Sequence, residues 1–238
     1  VTVSGLRAVE ALFRRDPQAI RRLYLDRATA PRAGPICRFL AERHRGYQVK
    51  DATELAKIAG TQHHGGIVAV TGERLPRLPG TVEIEAWAAA RLPVLVLDGV
   101  SNPHNFGAIL RTAAFLGIEQ VVLSERAEQA APSPAAYRVA EGGFEFVQLW
   151  RPRSLASFLR DLARRHHVIA AAPRGRPLTA ITRDDRPVAL VLGNEEAGLS
   201  PAVEKVAAEL VAIPGTGRVE SLNVSVAAGI LMYELLKR

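Results

Sequence analysis

From Pro93 onward the chain alternates short, unbroken apolar runs with stretches of helical period, and this pattern constrains the fold more than any other feature. Val94-Leu95-Val96-Leu97 is apolar without interruption, as a strand buried on both faces must be. A helix is expected over 105–116, with Phe106, Ile109, Leu110 and Ala113 on its inner face. Residues 120–123, 146–149, 168–171, 188–192 and 210–213 read as further strands, and 134–140 and 154–165 as helices. Alternation of this kind builds an α/β fold, a mostly parallel sheet with helices on both faces. Ligands of such sheets sit beyond the carboxyl ends of the strands. Chemistry is therefore expected in the polar, glycine-containing segments that follow them.

The first 71 residues read as a separate, small α/β domain. Leu6, Val9, Leu12 and Phe13 form the apolar stripe of a helix over 4–15. Strands at 20–25, 47–49 and 67–70 and helices at 36–45 and 52–59 complete it. Residues 72–92 gather Pro76, Pro79 and Gly80 around one apolar run containing Trp87, the punctuation of a linker, and 93–238 forms the second domain. Of the net charge of +7, all sits at the front: residues 1–50 hold 11 lysines and arginines against 4 acidic residues. Arginines outnumber lysines 27 to 4, and the planar guanidinium fork suits phosphate and base edges. A polyanionic partner and an arginine-rich but merely solvated surface both fit that charge.

Other classes are excluded more directly. The apolar stretches at 92–97 and 224–232 fall short of the roughly 18 residues of a membrane-spanning helix. The N-terminal residues lack a secretory pattern, and the single cysteine, Cys37, forms no internal disulfide, so a cytoplasmic protein is expected. The pairs His63-His64 and His166-His167 invite a metal. Adjacent side chains diverge, however, and no cysteine or carboxylate cluster accompanies them, so no metal is expected.

Three segments follow buried strands. In 97–112, Asn105 stands at the expected N-cap of the helix, and a simple cap is one reading of it. Arg111, between Leu110 and Ala113, is costly on an apolar helix unless it meets an anion or a structural ion pair. In 190–200, a strand runs into Gly193, then Glu195 and Glu196, then Gly198, before a helix opened by Ser200-Pro201. In 211–225, a Pro214-Gly215 turn leads through Ser221-Leu222-Asn223 into a helix ending at Lys237-Arg238. That helix is apolar nearly all round and is expected to be buried on every side. None of the segments is a dinucleotide fingerprint, a Walker loop or a Ser-His-Asp signature.

In this order and spacing the three segments resemble the signature motifs of the SpoU/TrmH family of RNA ribose 2′-O-methyltransferases, over roughly 93–238. The stretch 4–70, ending Gln62-His63-His64-Gly65-Gly66-Ile67-Val68-Ala69, looks like the substrate-binding domain that some members carry. The resemblance implies a SPOUT fold with a C-terminal trefoil knot, a homodimer, S-adenosylmethionine as cofactor, and ribosomal or transfer RNA as partner. It implies that Leu192, Gly193, Ile213 and Leu222 surround the cofactor. Asn105, Arg111, Glu195, Ser221 and Asn223 would serve substrate handling and catalysis. The family assigns the proton-acceptor role to the arginine. Because arginine stays protonated, a clamp on the neighbouring phosphate and the hydroxyl oxygen is the cheaper role, with phosphate or water taking the proton. Asn105 and Asn223 can donate and accept at once, which suits them to orienting a sugar hydroxyl.

Glu195 would fix Arg111 or accept from substrate, and Ser221 would be a substrate ligand or a helix-entry hydroxyl. Two departures stand out: His104, where many members have glycine, and Glu141, in a stretch usually small and uncharged. A non-catalytic RNA-binding or ribosome-associated protein retaining the fold is the alternative, and intact Asn105, Arg111, Glu195 and Asn223 argue against it.

Overall fold

The computed structural model describes residues 1–182 and 184–236. The chain begins with β1 (Thr2–Ser4), α1 (Leu6–Arg15), β2 (Arg22–Leu25), α2 (Gly34–Glu42), β3 (Tyr47–Val49), α3 (Ala52–Ala59) and β4 (Ile67–Val70). It continues with α4 (Thr81–Ala89), β5 (Val94–Asp98), α5 (Pro103–Phe115), β6 (Gln120–Leu123), α6 (Pro134–Ala140), β7 (Gln148–Trp150) and α7 (Leu155–Leu162). Last come β8 (His167–Pro177), β9 (Val188–Gly193), α8 (Pro201–Glu204), β10 (Glu209–Ala212) and α9 (Val224–Leu231), which runs on as a π-helical turn, Met232–Leu236. Two compact units result: Val1–Leu75 with Ala131–Phe146, and Pro76–Ala130 with the chain from Val147 onward.

In the first unit the sheet order is β1-β4-β2-β3, antiparallel except for the β2–β3 pair. α3 starts where the Asp51 carboxylate accepts from Glu54 N at 2.8 Å and stops at Gly60, whose φ of 70° is the left-handed conformation that favours glycine. Segment 131–146, placed by its position in the sequence in the second domain, packs instead on α1 and β1. Its Tyr137 ring stacks on Phe144 at 4.1 Å, and burial pushes the Tyr137 hydroxyl up to about 12. Gly142 (φ 93°) lies so close to α1 that a Cβ there would stand 2.6 Å from Ala11 Cβ. The buried Glu145 side chain, 2% exposed, pairs with Arg74 at 2.6 Å, and Arg74 also donates to Phe144 O. Glu141 meets Arg7 at 3.1 Å, so the acidic departure in this stretch belongs to the packing of the first unit.

The second unit holds six parallel strands in the order β10-β8-β9-β5-β6-β7. From β5 the chain builds outward through β6 and β7, then returns to lay β8, β9 and β10 on the other side. The direction of winding thus reverses between β5 and β9, and a crevice opens at their carboxyl ends. Residues 72–92, expected to be a linker, contain α4, whose Ile84 and Trp87 enter the core of this unit beside Trp150 and Phe158. The Pro79-Gly80 punctuation marks the start of that helix: Gly80 N donates to the Glu83 carboxylate at 2.8 Å.

β8, expected to end at residue 171, runs on to Pro177. Its pairing with β10 jumps from Ala170 beside Leu210 to Arg176 beside Val211. α9 is not buried on every side: Val226 and Ile230 are 51% and 37% exposed, and Tyr233 beyond it 53%. Lys237 and Arg238 lie outside the described residues. Among the described residues no helix is long and apolar enough to cross a membrane.

Candidate active site

A cleft of about 590 Å³ opens at the carboxyl edge of the parallel sheet. Its walls come from the segment after β5, the turn after β9, residues 171–173 of β8, residues 211–213, and the loop that enters α9. Eight of the nine residues expected from the sequence line it: Asn105, Leu192, Gly193, Glu195, Ile213, Ser221, Leu222 and Asn223.

The turn after β9 is fixed by its own chain. Asn194 and Gly198 exchange backbone hydrogen bonds at 2.9 and 3.0 Å. The Asn194 side chain accepts from Glu196 N and Ala197 N and donates to Gly99 O at 2.7 Å, tying this turn to the one after β5. A Cβ on Gly193 would come within 2.5–2.7 Å of the backbone of Gly198 and Leu199. Only glycine permits that closure.

Glu195 organises the site. Its carboxylate accepts from Ser101 N at 3.0 Å, Ser101 Oγ at 3.2 Å, Asn102 N at 3.3 Å and Asn105 Nδ2 at 2.9 Å. Burial raises its pKa, but the bonds from Asn105 and from the backbone of Ser101 and Asn102 together outweigh burial and hold it below the usual glutamate value. A carboxylate so placed remains ionised and has its lone pairs engaged, so it is poorly suited to take up a proton. The Asn105 amide, oriented by Glu195, accepts from Asn223 Nδ2 at 3.1 Å. Asn223 Oδ1 in turn accepts from Ser225 N and Oγ and caps α9. One line of hydrogen bonds thus joins Asn105 to two stretches of chain that lie 90 and 118 residues away in sequence.

Several expectations change. Asn105 is not the N-cap of α5. That role belongs to Asn102, whose side chain accepts from His104 N at 2.8 Å, so Asn105 stands in the first turn with its amide turned to Glu195 and Asn223 rather than to the helix end. His104 is exposed. Arg111 is exposed and is not among the residues lining the cleft. Its apolar sequence neighbours face inward, so the guanidinium does not bear the desolvation cost inferred from them. Glu195 turns to Asn105 and the 101–102 backbone rather than to Arg111. Ser221 is not the cap of α9, since Asn223 is.

The sequence reading missed Ser101, Asn102 and Asn194 as members of the network, although an asparagine directly before a proline at a helix start was a visible capping signal. It also missed the wall formed by residues 171–173, because Pro173 reads as the end of a strand. The histidine pairs are engaged locally: His64 Nδ1 accepts from Gly66 N, and His166 Nε2 lies 3.1 Å from Leu92 O.

Comparison with known proteins identifies the family. Residues 93–233 match the SpoU rRNA Methylase family, and residues 2–75 match the family described as RNA 2'-O ribose methyltransferase substrate binding. The chain is 36% identical over 237 residues to YfiF of Escherichia coli O157:H7, named an uncharacterized tRNA/rRNA methyltransferase, covering 98% of this chain and 66% of that one. It is 33% identical over 241 residues to the 23S rRNA (guanosine-2'-O-)-methyltransferase RlmB of Nitrosomonas europaea, covering 99% and 91%. The chain therefore spans just under two thirds of YfiF and most of RlmB. Among solved structures, a Porphyromonas gingivalis protein assigned to the TrmH family of RNA methyltransferases superposes with a TM-score of 0.74 at 27% identity, over 98% of this chain and 88% of that one. A family match over more than half the length, with a relative at 33% identity along nearly the whole chain, settles the kinship: this protein belongs to the SpoU rRNA methylase family.

Proposed function

We propose that this chain transfers a methyl group from S-adenosylmethionine to a ribose 2′-hydroxyl of RNA. The observation that carries this reading is the meeting of Glu195, Asn105 and Asn223, from three separate stretches, in one hydrogen-bonded line on the wall of a single cleft. The cleft volume falls within the range of about 300–1,000 Å³ typical of small-molecule sites. Its lining of Leu192, Ile213 and Leu222 beside main-chain groups suits a nucleoside-bearing cofactor, which supplies an electrophilic methyl group when bound.

The protein's own contribution is positioning. Holding two reactants at attack distance is worth about 7–11 kcal/mol of barrier. Asn105 and Asn223 retain unused donor capacity with which to orient the ribose hydroxyl, and Ser221 is a substrate ligand. Arg111, exposed on α5, grips an RNA phosphate, and the proton leaves to phosphate or water. In the first unit Arg7, Arg14, Arg22, Arg27, Arg32 and Arg38 are exposed and supply phosphate contacts, so RNA affinity falls steeply with salt. The RlmB relative is named for guanosine of 23S rRNA, which favours ribosomal over transfer RNA.

Calorimetry with S-adenosylmethionine, followed by mapping of ribose methylation on ribosomal and transfer RNA, tests the reading. The expected result is cofactor binding and a 2′-O-methyl mark at a defined nucleotide. No binding at millimolar cofactor, with or without RNA, would leave a non-catalytic RNA-binding protein.

The reading also includes a cytoplasmic protein, the family's C-terminal trefoil knot, and a homodimer. The exposed apolar side chains of Phe115, 88% exposed, and of Val226, Ile230 and Tyr233 support the dimer, since a monomer would leave them in water. Sedimentation at micromolar concentration is expected to show twice the 25.7 kDa chain mass. A species of single chain mass alone would remove the dimer.

A further inference from the structure

The loop between β5 and α5, residues 98–102, turns through Gly99 with φ of 87° and carries the backbone N–H groups that hold Glu195. One side of the loop is fixed by Asn194 and Glu195, as described above. The other side is fixed by Gln129, a residue outside the three strand-following segments. The Gln129 side chain is buried, 5% exposed, with all of its amide capacity in use. Its Oε1 accepts from Gly99 N at 3.0 Å and Ser124 Oγ at 3.3 Å, and its Nε2 donates to Val100 O at 3.1 Å and Ala130 O at 3.3 Å. Only one orientation of the amide satisfies all four partners. Beside it, Arg126 stands 3.7 Å from the buried carboxylate of Asp98, which accepts from Ser200 N at 2.7 Å.

We propose that Gln129 is a positioning residue for methyl transfer. It fixes the 98–102 loop from the side opposite Glu195 and so sets the place of Asn105 in the cleft. The physical reason is satisfaction of buried backbone groups. Gly99 N has no ladder partner in the turn, whereas Val100 O keeps the bond from Ala130 N at 2.8 Å, and an unpaired buried backbone N–H costs about 1–3 kcal/mol. A loop that loses the Gln129 amide therefore relaxes until water or another acceptor reaches Gly99 N, and the first turn of α5 moves with it. Displacements near 1 Å are enough to cost about a hundredfold in rate.

This inference rests on the methyltransferase reading for its kinetic arm but not for its structural arm. Amide hydrogen exchange of the full chain is measured by mass spectrometry for the wild type, Gln129→Met and Gln129→Glu. Gln129→Met is expected to lose at least tenfold of the protection of the peptide spanning 98–106, with protection in β5 and β9 unchanged. In the same protein kcat is expected to fall at least tenfold, while KM for S-adenosylmethionine stays within about twofold.

Gln129→Glu presents no proton to Val100 O when ionised and one when protonated. Its loop protection and its turnover relative to wild type are therefore expected to recover together as pH is lowered. Wild-type loop protection and kcat in Gln129→Met overturn the proposal. So does a loss of protection spread evenly over β5 and β9, or a Gln129→Glu protein with no recovery at low pH. If the wild type itself shows no turnover, the methyltransferase reading fails, and the exchange data still decide whether Gln129 holds the loop.

Discussion

Asn105→Ala is expected to lower the rate of methyl transfer by about 10²–10³-fold, the range seen when one pre-placed hydrogen-bonding group is removed from an active site. Asn105 is the middle member of the line that runs from Glu195 to Asn223, and the truncation removes the side-chain amide donor from Glu195, which keeps Ser101 and Asn102, and the acceptor of Asn223 Nδ2. Leu192, Gly193, Ile213 and Leu222 are untouched, so S-adenosylmethionine affinity should change by no more than a few fold. Asn105→Asp should be worse than Asn105→Ala. It would set a second carboxylate where the amide now lies 2.9 Å from Glu195, and like charges that close raise one of the two pKa values and push the loops apart. Single-turnover rates with saturating cofactor and RNA decide the matter. A rate within threefold of wild type for Asn105→Ala would show that the hydrogen-bonded line is scaffolding only.

Arg74→Met is expected to destabilise the first unit by about 3 kcal/mol at neutral pH, as measured by chemical denaturation. Breaking a buried ion pair by removing one partner typically costs about 3–5 kcal/mol. The lower end applies because the Arg74 side chain is 37% exposed and solvent screens part of its charge.

The effect has a pH signature. Burial pushes the Glu145 pKa up, and Arg74 opposes that rise. With the folded value above the unfolded one, the carboxyl contributes stability that is complete below the ordinary glutamate pKa of about 4.3 and is lost as pH rises through the raised folded value. Without Arg74 the folded value climbs further, so the deficit is greatest at neutral pH and shrinks as pH falls toward 5. Equal deficits at pH 7.5 and pH 5 would mean that the lost packing of the arginine stem, and not an uncompensated charge, accounts for the change.

What the sequence made legible follows from which signals are local. α3 and β4 fall where their punctuation puts them, with Asp51 and Gly60 bracketing the one and Gly66 and Gly72 flanking the other. β1 stayed hidden because three residues are too few to show an alternation. α4 stayed hidden because Val82, Ile84 and Trp87 do not share a clean helical stripe, and two prolines before it suggested a linker. Periodicity found α6 but carries no information about which core it joins, so the helix was placed with its neighbours in sequence rather than with α1 and β1.

The cleft was more legible than the packing because the order and spacing of its three segments resemble the SpoU/TrmH motifs, whereas each segment alone is an ordinary strand-to-helix turn. Arg111 shows the limit of that reading. Apolar neighbours along a chain do not imply apolar surroundings, because the exposed face of α5 also carries Phe115.

Residues 131–146 have an implication for how such a chain could be rearranged. The polypeptide passes from one unit to the other after residues 75, 130 and 146, so the N-terminal unit is not an appendage hung on a single thread. The helix that covers its first strand is encoded inside its neighbour. A recombination event that exchanged only the first 75 residues would bring in a foreign surface to meet Tyr137, Phe144 and Glu145, and a proteolytic fragment ending there would leave its own apolar face in water. Residues 1–75 and 131–146 are therefore bound to be inherited, and to unfold, together.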